Sequence, residues 1–596
     1  MDELGLEFDF HELQYALGDV SRPILQGISG RIRKGRVFGI MGPSGAGKST
    51  FIDILVGKTK QTGGLTAING MQENSLKFEH LIGFVPQDDC VLADLTVREN
   101  ILHSARIKLG GMLNDDDIRL HVDGVIAHIG LFHVKDRLTG SVEKRGISGG
   151  ERKRVCIAKE IIAMPMALIL DEPTSGLDAT AALSIMTLLK TLSTFGITIA
   201  CSVHQPRADI FRLLDDILLL HLGELIYMGE VAPLDALFGE LQAPNPNGYN
   251  PADNMMDVIT DPQLCSEFPW PSSRHTDSQV DDWPTSSKNS MVGNFRRASE
   301  LKKNFGKYKA PWYRQVLLYT LCGAKQQRRQ VFSILLEMVT GATAGLLLGL
   351  AIYERKGHLF QGYFRPPFEP LSSAVDYVFV PAVGLLCSLS ISLAAAPAGI
   401  KTIAEEKLIF YQEVHSGHSA SAYFIGKDIA TWPRILVSSL HFTTFYMILA
   451  TPVIPFHTLF LLNAVYFFCI YGLASLVASF VRRQDALLLA MLASLISSIL
   501  NGFGPRLGLV KSWHMVWMWY ICPGTWYSEA FFSEHTIPFA QLYDVDAAAS
   551  YTGYVTRRTS FDLGVLITIG VVYRIIAYVG LVLPIMNFPF LKKASK

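Results

Sequence analysis

Cysteine is scarce, with 8 residues in 596, and none of the eight falls in a CxxC pair. That spacing excludes a zinc ribbon or a disulfide-stapled scaffold, and the thiols are expected to be small buried groups of a reducing compartment. Charge is also thin: charged residues make up 18% of the chain, and Lys+Arg and Asp+Glu balance at 53 each. Without a basic excess there is no footprint for a nucleic-acid partner. The first residues, Met1-Asp2-Glu3-Leu4-Gly5, lack the basic-then-apolar layout of a secretory leader, so the first domain is expected in the cytosol. No short-period repeat of the solenoid kind is present.

What the chain does have is apolar residues, 49% of the total, and they are unevenly spread. Charges crowd the first half and long apolar runs the second. Over residues 1–262, short β-rich runs alternate with helical stretches: 36–41, 81–85, 167–170, 197–203 and 217–220. Near-continuous apolar strands separated by helices predict an α/β domain with a largely parallel sheet covered on both faces. Residues 263–310 turn to Ser, Pro, Asp, Lys and Asn and are expected to be a solvated linker. They include Arg296-Arg297-Ala298-Ser299, a match to a basic-directed phosphorylation site. Residues 311–330 suggest an amphipathic helix lying on a membrane surface.

The remainder, 331–592, is expected to be an all-α membrane domain of six spans, near 331–352, 373–395, 433–451, 458–480, 486–505 and 563–585. Lys325, Arg328, Arg329, Lys401, Lys407, Lys427, Arg482, Arg483, Lys592, Lys593 and Lys596 then share one side, which the positive-inside rule makes the cytosol. Arg355, Lys356, Lys511, Arg557 and Arg558 fall on the other. The outer segment 506–562 holds Trp513, Trp517, Trp519 and Trp526, which suits an interfacial hairpin or a packed outer cap. It also holds Cys522, a free thiol or a bridge to a second subunit. Glu337 and Arg574 sit inside proposed spans, where an unpaired charge is costly; they are expected either to pair with each other or to stand apart, Arg574 bonding backbone carbonyls and Glu337 near the interface.

The chemistry lies in Gly42-Pro43-Ser44-Gly45-Ala46-Gly47-Lys48-Ser49-Thr50, a GxxxxGK[ST] loop between a strand and a helix. Such a loop turns backbone N–H groups inward around phosphates, at a helix N-terminus whose dipole favours anions. Lys48 would add charge at the β- and γ-phosphates, and the Ser49 hydroxyl would meet Mg²⁺. Downstream, Asp171 and Glu172 end the run Ala167–Leu170. A carboxylate pair there can divide two jobs, Asp171 at the metal and Glu172 as general base on the attacking water.

Between these motifs, Ile147-Ser148-Gly149-Gly150-Glu151 resembles the signature of the ATP-binding cassette (ABC) superfamily, although Ile147 and Glu151 depart from its general consensus. The longer run Ser148–Arg154, SGGERKR, is similar to the G, or white, subfamily of half-transporters, as is the order ATPase first, membrane domain second. The stretches 83–89, 142–150 and 421–427 look similar too, the first two to a branch found in plants and protists. The resemblance implies a P-loop NTPase (ABC ATPase) domain followed by a G-type exporter membrane domain. It implies ATP and Mg²⁺ as cofactors, with Ser148, Gly149, Gly150 and Glu151 binding ATP held by the opposite subunit. It further implies Gln87 at Mg²⁺, Asp178 near ATP, and His204 joining Glu172 and Lys48 in hydrolysis. The family's adenine-stacking position falls on Leu17, with Tyr15 nearby. The expected partners are a second G-type half-transporter, identical or not, membrane lipid and a hydrophobic substrate, with closure relayed to the loop around Ala404–Lys427. The plasma membrane is the expected location, with the ATPase domain and C-terminus cytosolic.

Overall fold

A computed structural model describes residues 5–16, 23–71, 81–141, 144–241, 250–268, 270, 309–355, 359–372 and 375–585. The Arg296–Ser299 match, Leu17, Lys356 and the C-terminal lysines lie outside them. The chain divides into two compact units. Unit 1 comprises Met1–Leu318 together with Gln412–Ser419, and unit 2 comprises Tyr319–Tyr411 with Ala420–Lys596.

Among the described residues, unit 1 holds two sheets. β1 (Phe8–Tyr15), β2 (Leu25–Ile32) and β4 (Gly63–Ile68) form an antiparallel sheet in the order β2-β1-β4. β3 (Val37–Met41), β5 (Ile82–Val85), β6 (Ala167–Leu170), β7 (Thr198–Ser202), β8 (Asp216–His221) and β9 (Glu224–Glu230) form the second, in the order β5-β6-β7-β3-β8-β9. Its first five strands are parallel, and β9 returns antiparallel along β8. The period of two sorts these strands into two cores. Val37, Leu168, Leu170, Ile199, Cys201, Ile217 and Leu219 join the large core. Phe38, Ile40, Ala167, Ile169, Ala200, Leu218 and Leu220 point the other way, into a core shared with Phe8, Phe10, Leu25 and Ile28 of the small sheet. Burial on both faces explains why the central strands read as unbroken apolar runs.

Helix α1 (Lys48–Val56) follows β3, and α2 (Val97–Leu109), α3 (Asp115–His128), α4 (Gly149–Ile161) and α5 (Ala179–Thr194) come next in order. α6 (Ala208–Phe211), α7 (Val231–Leu241), α8 (Pro251–Thr260) and α9 (Pro262–Glu267) complete unit 1's own run. α9 occupies the first of the residues expected to form a linker. Phe268 and Trp270 pack against the large core, and Trp270 stacks on Tyr227 with ring centroids 6.2 Å apart.

α10 (Trp312–Arg329) precedes the helices of unit 2: α11 (Val331–Ala351), α12 (Phe379–Ala404), α13 (Lys407–His415), α14 (Ala420–Ala450), α15 (Phe456–Phe480) and α16 (Arg483–Ile499). The short α17 (Leu507–Ser512), α18 (Val516–Ile521), α19 (Pro523–Thr536) and α20 (Val545–Thr552) follow, and α21 (Thr559–Val582) ends the series. Among the described residues, four helical stretches are long and apolar enough to cross a membrane: Val331–Ala351, Phe379–His415, Phe456–Phe480 and Thr559–Val582. α14 and α16, expected as spans, fall outside that group. α14 begins at Ala420 and runs through Lys427, Asp428, Pro433 and Arg434, while α16 has 17 residues.

On α11, Glu337, Gly341, Gly345 and Gly349 form its buried stripe. A Cβ on Gly345 would lie 2.7 Å from the Phe442 carbonyl of α14, so glycine there permits backbone contact between the helices. The opposite face, with Leu336, Leu347 and Leu350, is exposed and apolar, as a lipid-facing or partner-facing surface must be. α19 is buried along nearly its whole length. Of the four tryptophans of 506–562, Trp519 and Trp526 are buried and Trp513 and Trp517 exposed, so the segment is part packed and part surface.

The expected Glu337–Arg574 pair does not form. Glu337 accepts from Arg434 Nε at 2.5 Å, Tyr471 OH at 2.7 Å and Ser438 Oγ at 2.9 Å. Arg574 bonds Asp428 at 2.7 Å and the carbonyls of Phe468 and Gly570 at 2.9 and 3.0 Å. Each charge found a partner on α14 instead, because α14 carries both an acid and a guanidinium into the bundle.

Candidate nucleotide site

The strand-to-helix turn from β3 to α1 builds the phosphate loop. Gly42 has φ 152 and Gly47 φ 100, and a Cβ on Gly42 would lie 2.2 Å from the Leu220 carbonyl. No alanine fits there. α1 opens with no side-chain cap and no acid in its first turn, leaving its N-terminal N–H groups for an anion. Lys48 is buried and donates to the Gly42 and Pro43 carbonyls at 2.7 and 2.9 Å. Burial pulls its ammonium below the ordinary lysine range, opposed by Glu172 and Asp171. The carboxylates of β6 thus lie within electrostatic reach of the loop lysine. Ser44, Gly45 and Ser49 are exposed, Pro43 and Thr50 half-buried and Ala46 buried. This pattern of glycines, bare N–H groups, a lysine and free hydroxyls fits a nucleoside polyphosphate.

β6 ends at Leu170 and hands on to Asp171 and Glu172, the latter in the left-handed region at φ 45. Ser202 on β7 ties the two acids together. Its Oγ donates to Asp171 Oδ1 at 2.7 Å and accepts from the Glu172 N–H at 2.8 Å. Gln87 Nε2 donates to Glu172 Oε2 at 2.8 Å, so its side chain rests on the second acid. Lys153 of α4 donates to the Gln87 carbonyl at 2.7 Å and pairs with Asp89 at 3.1 Å, pinning the Gln87 loop. His204 lies two residues beyond Ser202 and is exposed.

Ser148 is the N-cap of α4, and Glu151 closes a capping box with it. Ser148 donates to Glu151 Oε2 through both its N–H and its hydroxyl, each at 2.8 Å, and Glu151 also meets His133 at 3.0 Å. Burial would raise the Glu151 carboxyl, but its bonds to Ser148 and His133 hold it below the usual range. Glu151 therefore acts in this chain as a helix cap. Asp178 caps α5, accepting from the Ala181 N–H at 3.3 Å. Tyr15 is buried in the small sheet, opposite Leu25. Lys48, Gln87, Asp171 and Glu172 thus come together, while Ser148–Glu151 and Asp178 open two separate helices. Ser202 and Lys153 were not assigned from sequence. Their only signal was a hydroxyl two places before His204 and one lysine in a basic run.

The segment Gln412–Ser419 of unit 1 docks beside the Gln87 loop. Gln412 Nε2 donates to the Phe84 carbonyl at 2.6 Å, and Ser416 Oγ to Glu160 at 2.9 Å. Lys159 of α4 pairs with Glu413 at 2.8 Å, and His418 meets the same carboxylate at 2.5 Å. Burial would lower the Lys159 ammonium, but Glu413 outweighs it and holds it above its ordinary range.

A phosphate loop feeding a helix, a strand-end carboxylate pair and a glutamine on the second acid define a P-loop ATPase of the ABC type, carried on a chain with a membrane domain. The family described as "ABC transporter" matches residues 25–175, and "ABC-2 type transporter" matches residues 371–586. The chain is 45% identical over 551 residues to the "ABC-type transporter claG" of Penicillium crustosum, covering 91% of this chain and 71% of that protein. It is 28% identical to the "Putative white-brown complex homolog protein 30" of Arabidopsis thaliana, over 96% of this chain and 55% of the relative. "ABC transporter G family member 1" of Dictyostelium discoideum is 40% identical over 249 residues, 40% of this chain and 31% of its own length. The chain belongs to the ABC transporter family, with relatives named as G family members or white-brown homologs. It spans little more than half the length of the Arabidopsis relative.

Proposed function

We propose that the chain is one half of an ATP-driven exporter that works as a dimer, identical or mixed. ATP sits on the loop Gly42–Thr50, and Ser49, Asp171 and Gln87 would hold Mg²⁺ through hard oxygen donors, where it would offset phosphate charge. Glu172 is the general base, His204 assists it, and Lys48 neutralises phosphate charge as the γ-phosphoryl group leaves. Ser148–Gly150 and Asp178 complete the ATP held by the neighbouring subunit, with Glu151 capping α4 behind Ser148. The substrate is apolar or amphipathic, a lipid, sterol or hydrophobic small molecule, and crosses what we take to be the plasma membrane with the ATPase domain and C-terminus cytosolic. ATP drives the cycle by binding the closed dimer better than the open one, and the docked segment Gln412–Ser419 relays that closure.

The observation that supports this reading is that Gln87 bonds Glu172 and Lys48 lies within electrostatic reach of both acids, while Ser148 opens α4, a helix other than the one the phosphate loop opens. Each chain then holds two half-sites. The test is complementation in lipid. Lys48→Ala and Ser148→Arg chains are each inactive alone. Coexpressed, they restore ATPase activity, because one of the two composite sites keeps both wild-type halves. Activity of either single variant at wild-type level, or no recovery in the mixed dimer, refutes the shared site.

A further inference from the structure

Ser202 has no role in the reading above, yet its hydroxyl joins both acids. It is fully buried, and its two bonds use the group in both senses, O–H donated to Asp171 and lone pair offered to the Glu172 N–H. The strand register explains the position. Ser202 faces Ile40 of β3, one residue before the strand ends at Met41, and its neighbour Cys201 faces Leu170, the last residue of β6. One hydroxyl therefore stands where the strands bearing the phosphate loop, the acids and His204 come level.

The Glu172 backbone supplies a second observation. A glutamate at φ 45 is in a conformation that L-residues avoid and that persists only where surrounding contacts over-determine it. The N–H bond to Ser202 is such a contact, and it is made from the peptide whose rotation aims the Glu172 side chain. The Asp171 carboxylate is fixed by the same atom. A thiol at this position would donate weakly, and a methyl group would leave a buried N–H and a carboxylate lone pair unmatched.

We propose that Ser202 is a positioning residue for ATP hydrolysis, orienting Asp171 for the metal and locking Glu172 in the conformation that presents its carboxylate to the attacking water. The inference rests on the ATPase reading, and its test is built so that the two can fail separately. In the full chain in lipid, Ser202→Ala is expected to lower kcat by about 10–100-fold, the usual loss when a partner of a metal-site carboxylate is removed. KM for ATP stays within about twofold, because the phosphate loop is untouched. The Mg²⁺ concentration giving half-maximal rate rises, and Ser202→Thr, which keeps the hydroxyl, restores most of the rate.

A binding arm needs no turnover. In a Glu172→Gln background, a fluorescent ATP analogue is titrated with and without Mg²⁺. The gain in affinity on adding Mg²⁺ is expected to shrink roughly tenfold when Ser202→Ala is added, with metal-free affinity unchanged. Should Ser202→Ala fail to fold, the near-isosteric Ser202→Cys takes its place in both arms. An unchanged kcat and Mg²⁺ curve overturn the inference, as does equal damage in the Ala and Thr variants. A wild-type chain that binds the analogue but never hydrolyses ATP overturns the ATPase reading, and the binding arm still decides on Ser202.

Discussion

Replacing Glu413 by Gln removes one charge from a pair whose side chains are 3% and 7% exposed. The lysine that remains, Lys159, keeps a bond to the Cys90 carbonyl at 3.1 Å and can still donate to the new amide oxygen, but its charge loses its counter-ion. Breaking a buried pair from one side costs about 3–5 kcal/mol, and the retained hydrogen bond places this change near the lower end. At about 1.4 kcal/mol per decade, roughly a hundredfold shift toward the undocked form follows for the Gln412–Ser419 segment, whose other bonds in unit 1 include those to Phe84, Glu160, Lys309 and Gln315. Hydrogen exchange read by mass spectrometry on peptides covering 412–419 reports that opening directly. Exchange there is expected to quicken by about two decades while the β3 and β6 peptides hold their protection. The double variant Lys159→Met with Glu413→Leu should recover only part of it, since an apolar pair removes the stranded lysine charge but takes from buried His418 the carboxylate it meets. Exchange within about threefold of wild type in Glu413→Gln would refute the reasoning, because the pair would then contribute nothing to docking.

Further outcomes follow from other contacts. Glu337→Gln and Arg434→Met are each expected to destabilise unit 2 by about 3 kcal/mol, read as a lower melting temperature in detergent. Exchanging the charges between Glu337 and Arg434 should recover part of that loss, whereas exchanging them between Glu337 and Arg574 should not. Gly42→Ala puts a methyl group 2.2 Å from a backbone carbonyl and is expected to abolish binding of an ATP analogue. Burial pushes the thiols of Cys90, Cys156 and Cys201 up to about 11, 12 and 12, so maleimide at neutral pH should spare them until unit 1 is unfolded and should label the half-buried Cys265 first. Rapid labelling of Cys201 in the folded protein would contradict the packing of β7.

Legibility followed the range of the interactions involved. The five parallel strands announced themselves as apolar runs because each is covered on both faces. β1, β2 and β4 escaped notice because theirs is a half-polar pattern: β1 alternates buried residues with exposed Glu12 and Gln14, and bends at irregular register. The loop and the acids were legible because phosphate chemistry demands particular residue types at short spacing. Ser202 was not, because a serine near a strand end is common and its meaning depends on which strand lies alongside. The buried charges of unit 2 went the same way. Hydropathy marks Glu337 and Arg574 as costly charges inside spans, but choosing their partners requires knowing that α14 presents Arg434 to the first and Asp428 to the second.

Taken alone, the amino-acid order determined what is local or compositional: an α/β ATPase half, a membrane half, the phosphate loop and the carboxylates that end β6. Periodicity, turn chemistry and hydropathy act over a few residues, and each can be read off in sequence. The tertiary structure decided which distant groups share a bond. It set Ser202 between Asp171 and Glu172, rested Gln87 on Glu172, gave Glu151 to the cap of α4, and folded Phe268 and Trp270 back onto the core. Those choices depend on strand order and helix packing, where residues tens to hundreds of positions apart meet and the cost of leaving a buried polar group unpaired selects the partner.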